Sequence, residues 1–229
     1  APDSGCIPLT VSFNSNSSSS IDPIVIYNWN FGDGNTASTA VPNTTNTYTA
    51  TGTFSPSLVI QTANGCTDTF VCNNCIKAGT LPTADFGILN DTICYGLPVN
   101  FSDSSLNATG WYWMFGDGGN SNLPNPTYVY GDTGSFQVTL VAYNNGCADT
   151  SLIQNVVIMP PKAVATYTLS CVNYFTVMFT SASIGADSVV WNFGDGSVDS
   201  SNNISPTHTY TSTGAVSVIL TAYNYATGC

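Results

Sequence analysis

The chain has 229 residues, and only 7% of them are charged: thirteen acidic residues, all Asp, two Lys and no Arg, for a formal net charge of −11. This composition excludes nucleic acid and anionic membrane surfaces as partners, because two cations do not neutralise an array of phosphate groups. No apolar run reaches the roughly 18 residues of a membrane span, so no membrane insertion is expected. The sequence starts with neither an initiating Met nor a signal peptide, which predicts a mature or internal segment.

The predicted elements are β-strands throughout. Branched and aromatic residues are frequent, as in Val138–Tyr143 and Val216–Tyr223, and helix signals are nearly absent. Ser, Thr and Asn supply the surface polarity that charged residues usually supply. We therefore predict an all-β fold with a hydrated but weakly self-repelling surface.

A tandem repeat organises the chain. The tetrapeptide Phe-Gly-Asp-Gly occurs three times, each time with a Trp two residues before its Phe. The residues concerned are Trp29, Phe31 and Asp33, then Trp113, Phe115 and Asp117, then Trp191, Phe193 and Asp195. The Asp residues are 84 and 78 residues apart, too far for a solenoid coil or a propeller blade and suitable for a small β domain. The spacing predicts three domains, at residues 1–80, 81–159 and 160–229.

Each repeat presents its elements in the same order. A strand follows the early cysteine, and the motif strand comes next, with its Trp and Phe two residues apart and hence on one face. Gly-Asp-Gly then predicts a turn in which the Asp carboxylate accepts backbone N–H groups. Before the late strand comes a Tyr four residues ahead of a Gly, at Tyr48, Tyr130 and Tyr210.

The first and last repeats differ from the middle one. Repeats two and three open with a strand before their first cysteine, Ala84–Leu89 and Ala163–Leu169, which repeat one lacks. Repeat two continues after its late cysteine into Leu152–Ile158, whereas repeat three stops there. A missing edge strand exposes unpaired backbone, so we expect neighbouring segments of a longer array or fibre to complete both end domains.

Six of the eight cysteines fall into register when the repeats are aligned. Each repeat has an early cysteine ahead of a strand and a late one in or after a Gly-bearing turn. This register predicts three intradomain disulfides, Cys6–Cys66, Cys94–Cys147 and Cys171–Cys229. Each of these disulfides would close a long loop and stabilise its domain by about 4 kcal/mol in the chain-entropy model. Disulfides indicate an oxidising, extracellular compartment.

Cys72 and Cys75 have no counterpart in the other repeats. A Cys-x-x-Cys pair is compatible with a redox motif, with half of a zinc site or with a local disulfide. No helix follows to lower a thiol pKa, and no second pair or histidine is nearby in sequence. We predict the local disulfide, which bends the strand where it leaves the first domain.

The combined pattern closely resembles the PKD (polycystic kidney disease) domain. Its parts are Trp-x-Phe-Gly-Asp-Gly, a Pro-Thr-x-x-Tyr segment at Pro126–Tyr130 and Pro206–Tyr210, and Gly-x-Phe/Val-x-Val-x-Leu. The resemblance covers essentially the whole chain, although Val41–Tyr48 in repeat one lacks the Pro-Thr-x-x-Tyr spacing. It implies three tandem immunoglobulin-like β-sandwiches of about seven strands each, arranged as a rod, a structure typical of extracellular and cell-surface proteins.

No catalytic, cofactor-binding or metal-binding residue is predicted. The motif Asp residues recur singly, whereas glycoside hydrolysis needs two acids facing one substrate. His208 is the only histidine and aligns with Tyr128, which favours a packing role. No dense Asp-x-Asp run exists for calcium. An interdomain Ca²⁺ held by Asp85, Asp91 or Asp187 is the alternative.

Glycosylation is a further expectation. Asn-x-Ser/Thr sequons occur at Asn16, Asn43, Asn90, Asn100, Asn107 and Asn203. Two Asp-Ser/Thr-apolar triplets, centred on Thr92 and Ser188, resemble O-glycan acceptors of bacterial gliding-type surface proteins. Glycans would add the hydration that charge does not provide.

The resemblance implies a non-enzymatic structural segment of an extracellular bacterial filament, stalk or adhesin. Its expected partners are copies of itself or flanking repeats, with glycans or other cell surfaces as further candidates. The alternative is a polysaccharide-binding or spacer module of a secreted hydrolase, with Tyr112 and Met114, opposite Trp113, as a sugar-stacking or domain-packing patch. The short proline-containing junctions Ala78–Pro82 and Met159–Lys162 favour a stiff rod, and therefore the filament.

Overall fold

The structure of the protein is a computed structural model, which describes residues 3–170, 172 and 175–229. Every regular element among these residues is a β-strand and none is a helix, so the predicted all-β class is confirmed. The strands form three successive domains.

The strands of domain 1 are β1 (Ser4–Cys6), β2 (Leu9–Asn14), β3 (Ile24–Asn30), β4 (Thr36–Thr39), β5 (Asn43–Tyr48), β6 (Gly52–Phe54), β7 (Ser57–Thr62), β8 (Thr67–Val71) and β9 (Ile76–Gly79). Those of domain 2 are β10 (Phe86–Leu89), β11 (Thr92–Cys94), β12 (Val99–Asp103), β13 (Gly110–Met114), β14 (Asn120–Ser121), β15 (Thr127–Tyr128), β16 (Gly134–Asn144), β17 (Cys147–Thr150) and β18 (Gln154–Met159). Those described in domain 3 are β19 (Ala165–Leu169), β20 (Thr176–Ser181), β21 (Ser188–Asn192), β22 (Val198–Asp199), β23 (Thr207–Thr209) and β24 (Ile219–Tyr223).

Each domain is a sandwich built around its motif strand. In one sheet β3 lies between β4 and β7, β13 between β14 and β16, and β21 between β22 and β24. The hairpin strands β8 and β17 extend this sheet in domains 1 and 2. The facing sheet contains β2 and β5 in domain 1, β10, β12 and β15 in domain 2, and β19, β20 and β23 in domain 3.

Strand β16, with eleven residues, holds both sides of domain 2 together. Its first part pairs with β18, which in turn pairs in parallel with β11, and its second part pairs with β13 and β17. The segment of domain 1 that corresponds to β16 is divided into two strands, β6 and β7, with Pro56 between them. A proline has no N–H to donate to a ladder, which explains the break.

The motif Trp and Phe form the core because their spacing places both on the inner face of their strand. All six side chains are buried: Trp29, Phe31, Trp113, Phe115, Trp191 and Phe193. In each domain one Phe of the facing sheet contacts both rings, and in domain 2 the centroid of Phe101 lies 5.6 Å from Trp113 and 5.1 Å from Phe115. Tilted aromatic pairs of this kind add about 0.5–1.5 kcal/mol to the burial of their surface.

Each end domain leaves one side of its core open. Among the described residues, β2 pairs only with β5, whereas β12 and β20 have a strand on either side. Residues 214–218 of domain 3 form no strand, whereas the equivalent residues of β16 pair with β18. The opening in domain 1, the domain 1 groove, has a volume of about 710 Å³ and is lined by Val11, Phe13, Trp29, Leu58 and Phe70. The opening in domain 3, the domain 3 groove, has a volume of about 600 Å³ and is lined by Val177, Trp191, Tyr210, Val216, Val218 and Leu220.

The long-range disulfides differ from the predicted ones. Cys6 is bonded to Cys147, and Cys94 is bonded to Cys229, so each bond joins two consecutive domains. Cys66 is an exposed free thiol. The predicted pairs Cys6–Cys66, Cys94–Cys147 and Cys171–Cys229 are therefore wrong. Cys72 and Cys75 are bonded to each other, and Cys171 lies outside the described residues.

The intradomain prediction failed because the early and late cysteines of one domain lie at opposite ends of its sandwich. Cys94 is in register with Met159, beside the Gly134 end of β16, whereas Cys147 pairs with Asn144 at the other end. The two ends of β16 are about 33 Å apart at 3.3 Å per residue. A disulfide requires Cα atoms within about 7 Å, and the observed interdomain pairs have 4.9 and 5.6 Å.

Candidate functional site: the repeated turn and the joints between domains

The Gly-Asp-Gly turn is closed by its own Asp in all three domains. The Oδ1 atom of the Asp accepts the backbone N–H of the residue two positions later. The three bonds are Asn35 N to Asp33 at 3.0 Å, Gly119 N to Asp117 at 2.9 Å and Ser197 N to Asp195 at 3.0 Å. The glycines on either side of the Asp have φ between +80° and +97°, a region that favours glycine. The motif therefore encodes a turn of fixed geometry.

The second Asp oxygen, Oδ2, contacts the side chain two residues before the motif Tyr, and this residue differs among the domains. The contacts are Asn46 Nδ2 to Asp33 at 2.8 Å, Tyr128 O–H to Asp117 at 2.9 Å and His208 Nε2 to Asp195 at 2.7 Å. Tyr128 and His208 also stack on the motif Phe, with ring centroids 4.0 and 4.2 Å apart. His208 thus occupies the same structural position as Tyr128.

The motif Tyr links the turn to the strand before the late strand. Its hydroxyl donates to the carbonyl of the motif Phe in every domain: Tyr48 to Phe31 at 2.9 Å, Tyr130 to Phe115 at 3.1 Å and Tyr210 to Phe193 at 3.0 Å. Burial raises the pKa of the Tyr48 phenol to about 12. Burial also raises the pKa values of Tyr130 and Tyr210. These phenols therefore remain protonated donors well above neutral pH.

The turn carboxylates of domains 1 and 3 have lowered pKa values. Hydrogen bonds from Ser197 and the contact with His208 hold the pKa of Asp195 below its usual value. Burial raises the pKa of Asp33, but hydrogen bonds from Asn46 and Asn35 outweigh it, so the net shift is downward. Both carboxylates are therefore ionised at neutral pH and accept the hydrogen bonds of the turn.

Ser197, Asp195 and His208 meet in domain 3, and this combination activates a serine nucleophile in hydrolases. Ser197 Oγ and Asp195 Oδ2 lie on the same ring nitrogen, Nε2, at 3.3 and 2.7 Å. A triad needs the serine on one nitrogen and the carboxylate on the other. Ser197 Oγ also donates to Asp195 Oδ1, so its proton is already committed to the turn. The arrangement stabilises the turn and does not activate Ser197.

The three Asp residues considered for calcium each serve a local backbone or hydroxyl group. Asp85 accepts from Phe86 N, Asp91 from Thr92 Oγ1 and Asp187 from Tyr225 N. Calcium takes six to eight oxygen ligands. Within residues 3–170, 172 and 175–229, no group of three or more His, Cys, Asp or Glu side chains is placed to hold a metal ion.

The joint between domains 1 and 2 is formed by the β16–β17 hairpin of domain 2, which packs on β1 and β9 of domain 1. The Cys6–Cys147 disulfide lies within it, and Cys147 is only 1% exposed. The backbones are in close contact, since a Cβ added to Gly146 would lie 2.5 Å from Ser4 Cβ. Asn144 Nδ2 donates to Thr80 Oγ1 of the linker at 3.1 Å. The hairpin turn is therefore a domain-docking element.

The joint between domains 2 and 3 has the same disulfide arrangement and additional polar contacts. Cys94 of domain 2 is bonded to Cys229, after the late strand of domain 3. Lys162 in the linker donates to Gly131 O at 3.0 Å, lies 3.2 Å from Asp132 Oδ1 and is 5.4 Å from the centre of the Tyr95 ring. One of the two lysines of the chain thus fixes this joint.

The two joints lie at opposite ends of domain 2. Domain 1 contacts the Asn144 end of β16, and domain 3 contacts the residues beside its Gly134 end. Domains 1 and 3 therefore contact domain 2 at sites separated by the length of its longest strand.

A family model described as the PKD domain matches three consecutive regions, residues 1–74, 80–158 and 159–228. The chain belongs to the PKD domain family. The structure and this match together show three tandem immunoglobulin-like PKD domains. Tandem PKD domains of this kind support a structural or spacer module.

Individual solved structures match parts of the chain. The PKD1 domain of the Vibrio cholerae metalloprotease PrtV is 29% identical over 34% of this chain and 96% of that one, with a TM-score of 0.30. A protein of Methanosarcina mazei, solved by NMR, is 33% identical over 35% of this chain and 55% of that one, with a TM-score of 0.30. The fibronectin(III)-like modules of Clostridium thermocellum CbhA are 14% identical over 67% of this chain and 87% of theirs, with a TM-score of 0.45.

PKD domains are typical of extracellular proteins, and the disulfides of this chain are consistent with that. Three disulfides are present among the described residues, and disulfides persist in oxidising compartments. The described part of the chain contains no helix of the length and apolarity that a bilayer crossing requires. The sequon asparagines Asn16, Asn43, Asn90, Asn100, Asn107 and Asn203 are exposed, as is Thr92, and Ser188 is half-buried.

Proposed function

We propose that the chain is a non-catalytic structural segment of an extracellular bacterial filament, stalk or adhesin. The observation that carries this proposal is the pair of interdomain disulfides. Each bond fixes the early cysteine of one PKD domain to the late cysteine of the next, at opposite ends of domain 2. A covalent tie at every joint transmits tension and resists bending, which are the properties a stalk or filament needs.

Three further features support the same role. The linkers are short and contain proline, which limits the rotation of one domain against the next. The surface has few charges, so neighbouring rods repel each other weakly. The sequons are exposed, and glycans on them would keep such a rod hydrated. Within this proposal the domains span residues 1–80, 81–159 and 160–229.

The stiffness of the rod is tested by small-angle X-ray scattering of the chain in solution. A straight rod of three domains is about 100 Å long, at roughly 33 Å per domain. The double variant Cys6→Ser/Cys147→Ser opens one joint without leaving an unpaired thiol, and we expect it to broaden the distribution of interdomain angles. The pair Cys72→Ser/Cys75→Ser removes a disulfide inside domain 1 and is the matched control. Equal flexibility in all three proteins would contradict the proposal.

The filament role itself is tested on material from the native source. We expect it to sediment as a polymer, to show rods in the electron microscope and to pass unretained over chitin, cellulose and mucin. A discrete monomer that is retained on one of these polysaccharides would overturn the filament role in favour of a binding module.

The binding-module alternative is favoured by one surface of domain 2. Tyr112, Met114 and Tyr143 all lie on the outer face of the sheet, opposite the buried Trp113. Met114 and Tyr143 are 38% and 39% exposed. Tyr side chains on a flat sheet face offer rings on which sugars stack. Retention on a polysaccharide that Tyr143→Ala abolishes would establish this second function.

A further inference from the structure

The β7–β8 hairpin of domain 1 carries Cys66, the one free cysteine among the described residues. Its sequence Asn-Gly-Cys-x-Asp-Thr, at residues 64–69, recurs at residues 145–150 in the β16–β17 hairpin of domain 2. That second hairpin docks on domain 1, where Cys147 is bonded to Cys6. The same sequence is therefore engaged in one domain and free in the other.

The backbone presents the cysteine in the same way in each repeat. A glycine with positive φ directly precedes every late cysteine: +87° at Gly65, +88° at Gly146 and +73° at Gly228. The turn before Cys66 is one residue longer than the turn before Cys147, since Cys66 faces Thr62 and Cys147 faces Asn144. The hairpins thus differ in turn length but share the local conformation ahead of the cysteine.

Both joints of the chain follow one pairing rule. The late cysteine of a domain is bonded to the early cysteine of the domain before it, Cys147 to Cys6 and Cys229 to Cys94. Cys66 is the late cysteine of domain 1, and residues 63–69 around it are all exposed. The rule therefore names the chemistry that fits this hairpin, which is the early cysteine of another PKD domain.

The hairpin turn and the joint lie at opposite ends of domain 1. Cys6 pairs with Gly79 of β9, beside Gly52 at the start of β6, whereas Cys66 follows the end of β7 at Thr62. The two positions are about 33 Å apart at 3.3 Å per residue. A partner on Cys66 therefore does not compete with domain 2.

The space beside the glycine is filled in the docked hairpin and open in the free one. A Cβ on Gly146 would lie 2.5 Å from Ser4 Cβ and 2.8 Å from Gly5 N of domain 1. A Cβ on Gly65 would meet only Gln61 Nε2 of its own hairpin, at 4.0 Å. Docking therefore requires a residue without a side chain at this position, and the free hairpin has one.

We propose that the β7–β8 hairpin docks on a second copy of this chain, and that Cys66 forms a disulfide with the early cysteine of that copy's third domain. Of the three early cysteines, Cys6 and Cys94 are bonded within the chain, which leaves Cys171 as the expected partner. The contact repeats between molecules the pairing that both joints have within one molecule. The inference rests on the proposed function only in that such links extend a filament.

The link needs a two-electron oxidant, and a small-molecule disulfide such as oxidised glutathione supplies it. The Cys66 thiolate attacks one glutathione sulfur, which forms a mixed disulfide and releases one glutathione thiolate. The cysteine thiolate of the second copy then attacks the Cys66 sulfur and releases the other glutathione. The protons of the two cysteines go to the released thiolates, so two thiols are oxidised while one disulfide is reduced.

The test incubates the full chain in a buffer of reduced and oxidised glutathione and separates the products on non-reducing gels. We expect a ladder of disulfide-linked oligomers, with at least tenfold more linked protein than in Cys66→Ser. Peptide mapping without reduction is expected to find Cys66 linked to Cys171. A link of Cys66 to any other cysteine, a second Cys66 included, would overturn the proposal, as would the absence of oligomers.

The variant Gly65→Asn separates docking from random oxidation of an exposed thiol. Asn tolerates positive φ better than most residues, and the space beside Gly65 is open, so the hairpin keeps its fold. At a docked joint its side chain collides with the partner, as a side chain on Gly146 would collide with Ser4. We expect oligomers to form at least tenfold more slowly, while the rate at which a maleimide modifies Cys66 changes less than twofold.

The matched control is Thr67→Asn, which adds the same side chain on the other side of Cys66. The equivalent residue of the docked hairpin, Ala148, is exposed at the joint. Docking therefore leaves room for a side chain there, and we expect the rate of oligomer formation to change less than twofold.

Oligomers that form equally fast in Gly65→Asn and in the unmodified chain would overturn the proposal, because the link would then need no docking. These outcomes are distinct from a failure of the proposed function. Native material that is monomeric, together with specific linkage through Cys66 in glutathione buffer, rejects the filament and retains the docking hairpin. Native polymers in which Cys66 is not linked to another chain reject the docking hairpin alone.

Discussion

Domains 2 and 3 share the same motif and the same arrangement of strands, but the described residues close the core of domain 2 and leave one side of the core of domain 3 open. The motif Trp is fully buried in both, and the Asp and Tyr hydrogen bonds of the turn recur in both. The difference is the strand β18, which covers Val138 and Leu140 in domain 2. The motif thus specifies the central strand and its turn, and β18 shields the core of domain 2 from solvent.

The largest expected effect is on the motif Trp of the closed domain. Trp113 contacts Phe86 and Phe101 and donates its indole N–H to Leu123 O at 2.8 Å. Trp113→Ala is expected to lower the free energy of unfolding by about 3–5 kcal/mol, because the substitution leaves an enclosed cavity in the core. Trp191→Ala is expected to cost less, because one side of its site is already open to the groove. Denaturant unfolding followed by domain-resolved hydrogen exchange measures both.

The matched control for Trp113 is Tyr112, the neighbouring residue on the outer face of the same strand. Tyr112→Ala is expected to cost about 1 kcal/mol or less, as for most surface substitutions. Equal losses at Trp113 and Tyr112 would mean that the strand faces are assigned wrongly.

A smaller difference is expected for the motif Tyr. Tyr130→Phe leaves the buried carbonyl of Phe115 without its donor and is expected to cost about 1–2 kcal/mol. The same change at Tyr210 is expected to cost about half as much, because that side chain is half-buried and water replaces the lost donor. Thermal unfolding of the two variants checks the order, and a larger loss at Tyr210 would show that domain 3 is the better closed of the two.

The turn Asp of domain 3 predicts a pH dependence of the stability of that domain. The pKa of Asp195 is lowered by Ser197 and His208, so its contribution to stability is present above the ordinary Asp value of 3.8 and is lost as the pH falls through the lowered value. Asp195→Asn should remove this acid sensitivity. Acid unfolding monitored by exchange in domain 3 is the measurement, and an unchanged profile in Asp195→Asn would contradict the assignment.

Asp117→Asn is the companion variant in domain 2. The amide retains an oxygen that accepts from Gly119 N, so we expect a modest loss of stability. Loss of a Ca²⁺-dependent property in this variant would replace the turn role with a metal role.

The smallest effect on stability is expected at Cys66. Asn-Gly-Cys-x-Asp-Thr occurs at residues 64–69 and 145–150, but the first hairpin is exposed and the second is docked and disulfide-bonded. Cys66→Ser is expected to change the free energy of unfolding by less than about 0.5 kcal/mol. Without denaturant, a maleimide should modify Cys66 and leave Cys147 unmodified. Mass spectrometry of the labelled peptides checks this, and protection of Cys66 would mean that its hairpin is covered.

The motif strand could be read from the sequence because its signals are local. The alternation of Trp113 and Phe115 defines a strand face, and the flanking glycines define the turn. The departure of repeat one in Val41–Tyr48 also has a structural counterpart. Its β4–β5 loop is shorter, and the buried Trp29 Nε1 lacks the carbonyl partner that Leu123 provides for Trp113.

The joints could not be read from the sequence in the same way. The register of the cysteines shows one early and one late cysteine in each repeat, but not the end of the sandwich at which each lies. That depends on the non-local pairing of β11 with β18 and of β16 with β17. The glycines at the joint, such as Gly146, read equally well as ordinary hairpin residues. The docking surface appears only when two domains are placed together.

The central claim is that disulfides tie consecutive PKD domains together, and peptide mapping without reduction tests it most directly. Proteolysis at low pH prevents exchange of disulfides with the free thiol of Cys66, and mass spectrometry then identifies the linked peptides. We predict links between Cys6 and Cys147 and between Cys94 and Cys229, with Cys66 unlinked to any other cysteine of the same chain. Links between Cys6 and Cys66 and between Cys94 and Cys147 would contradict the account.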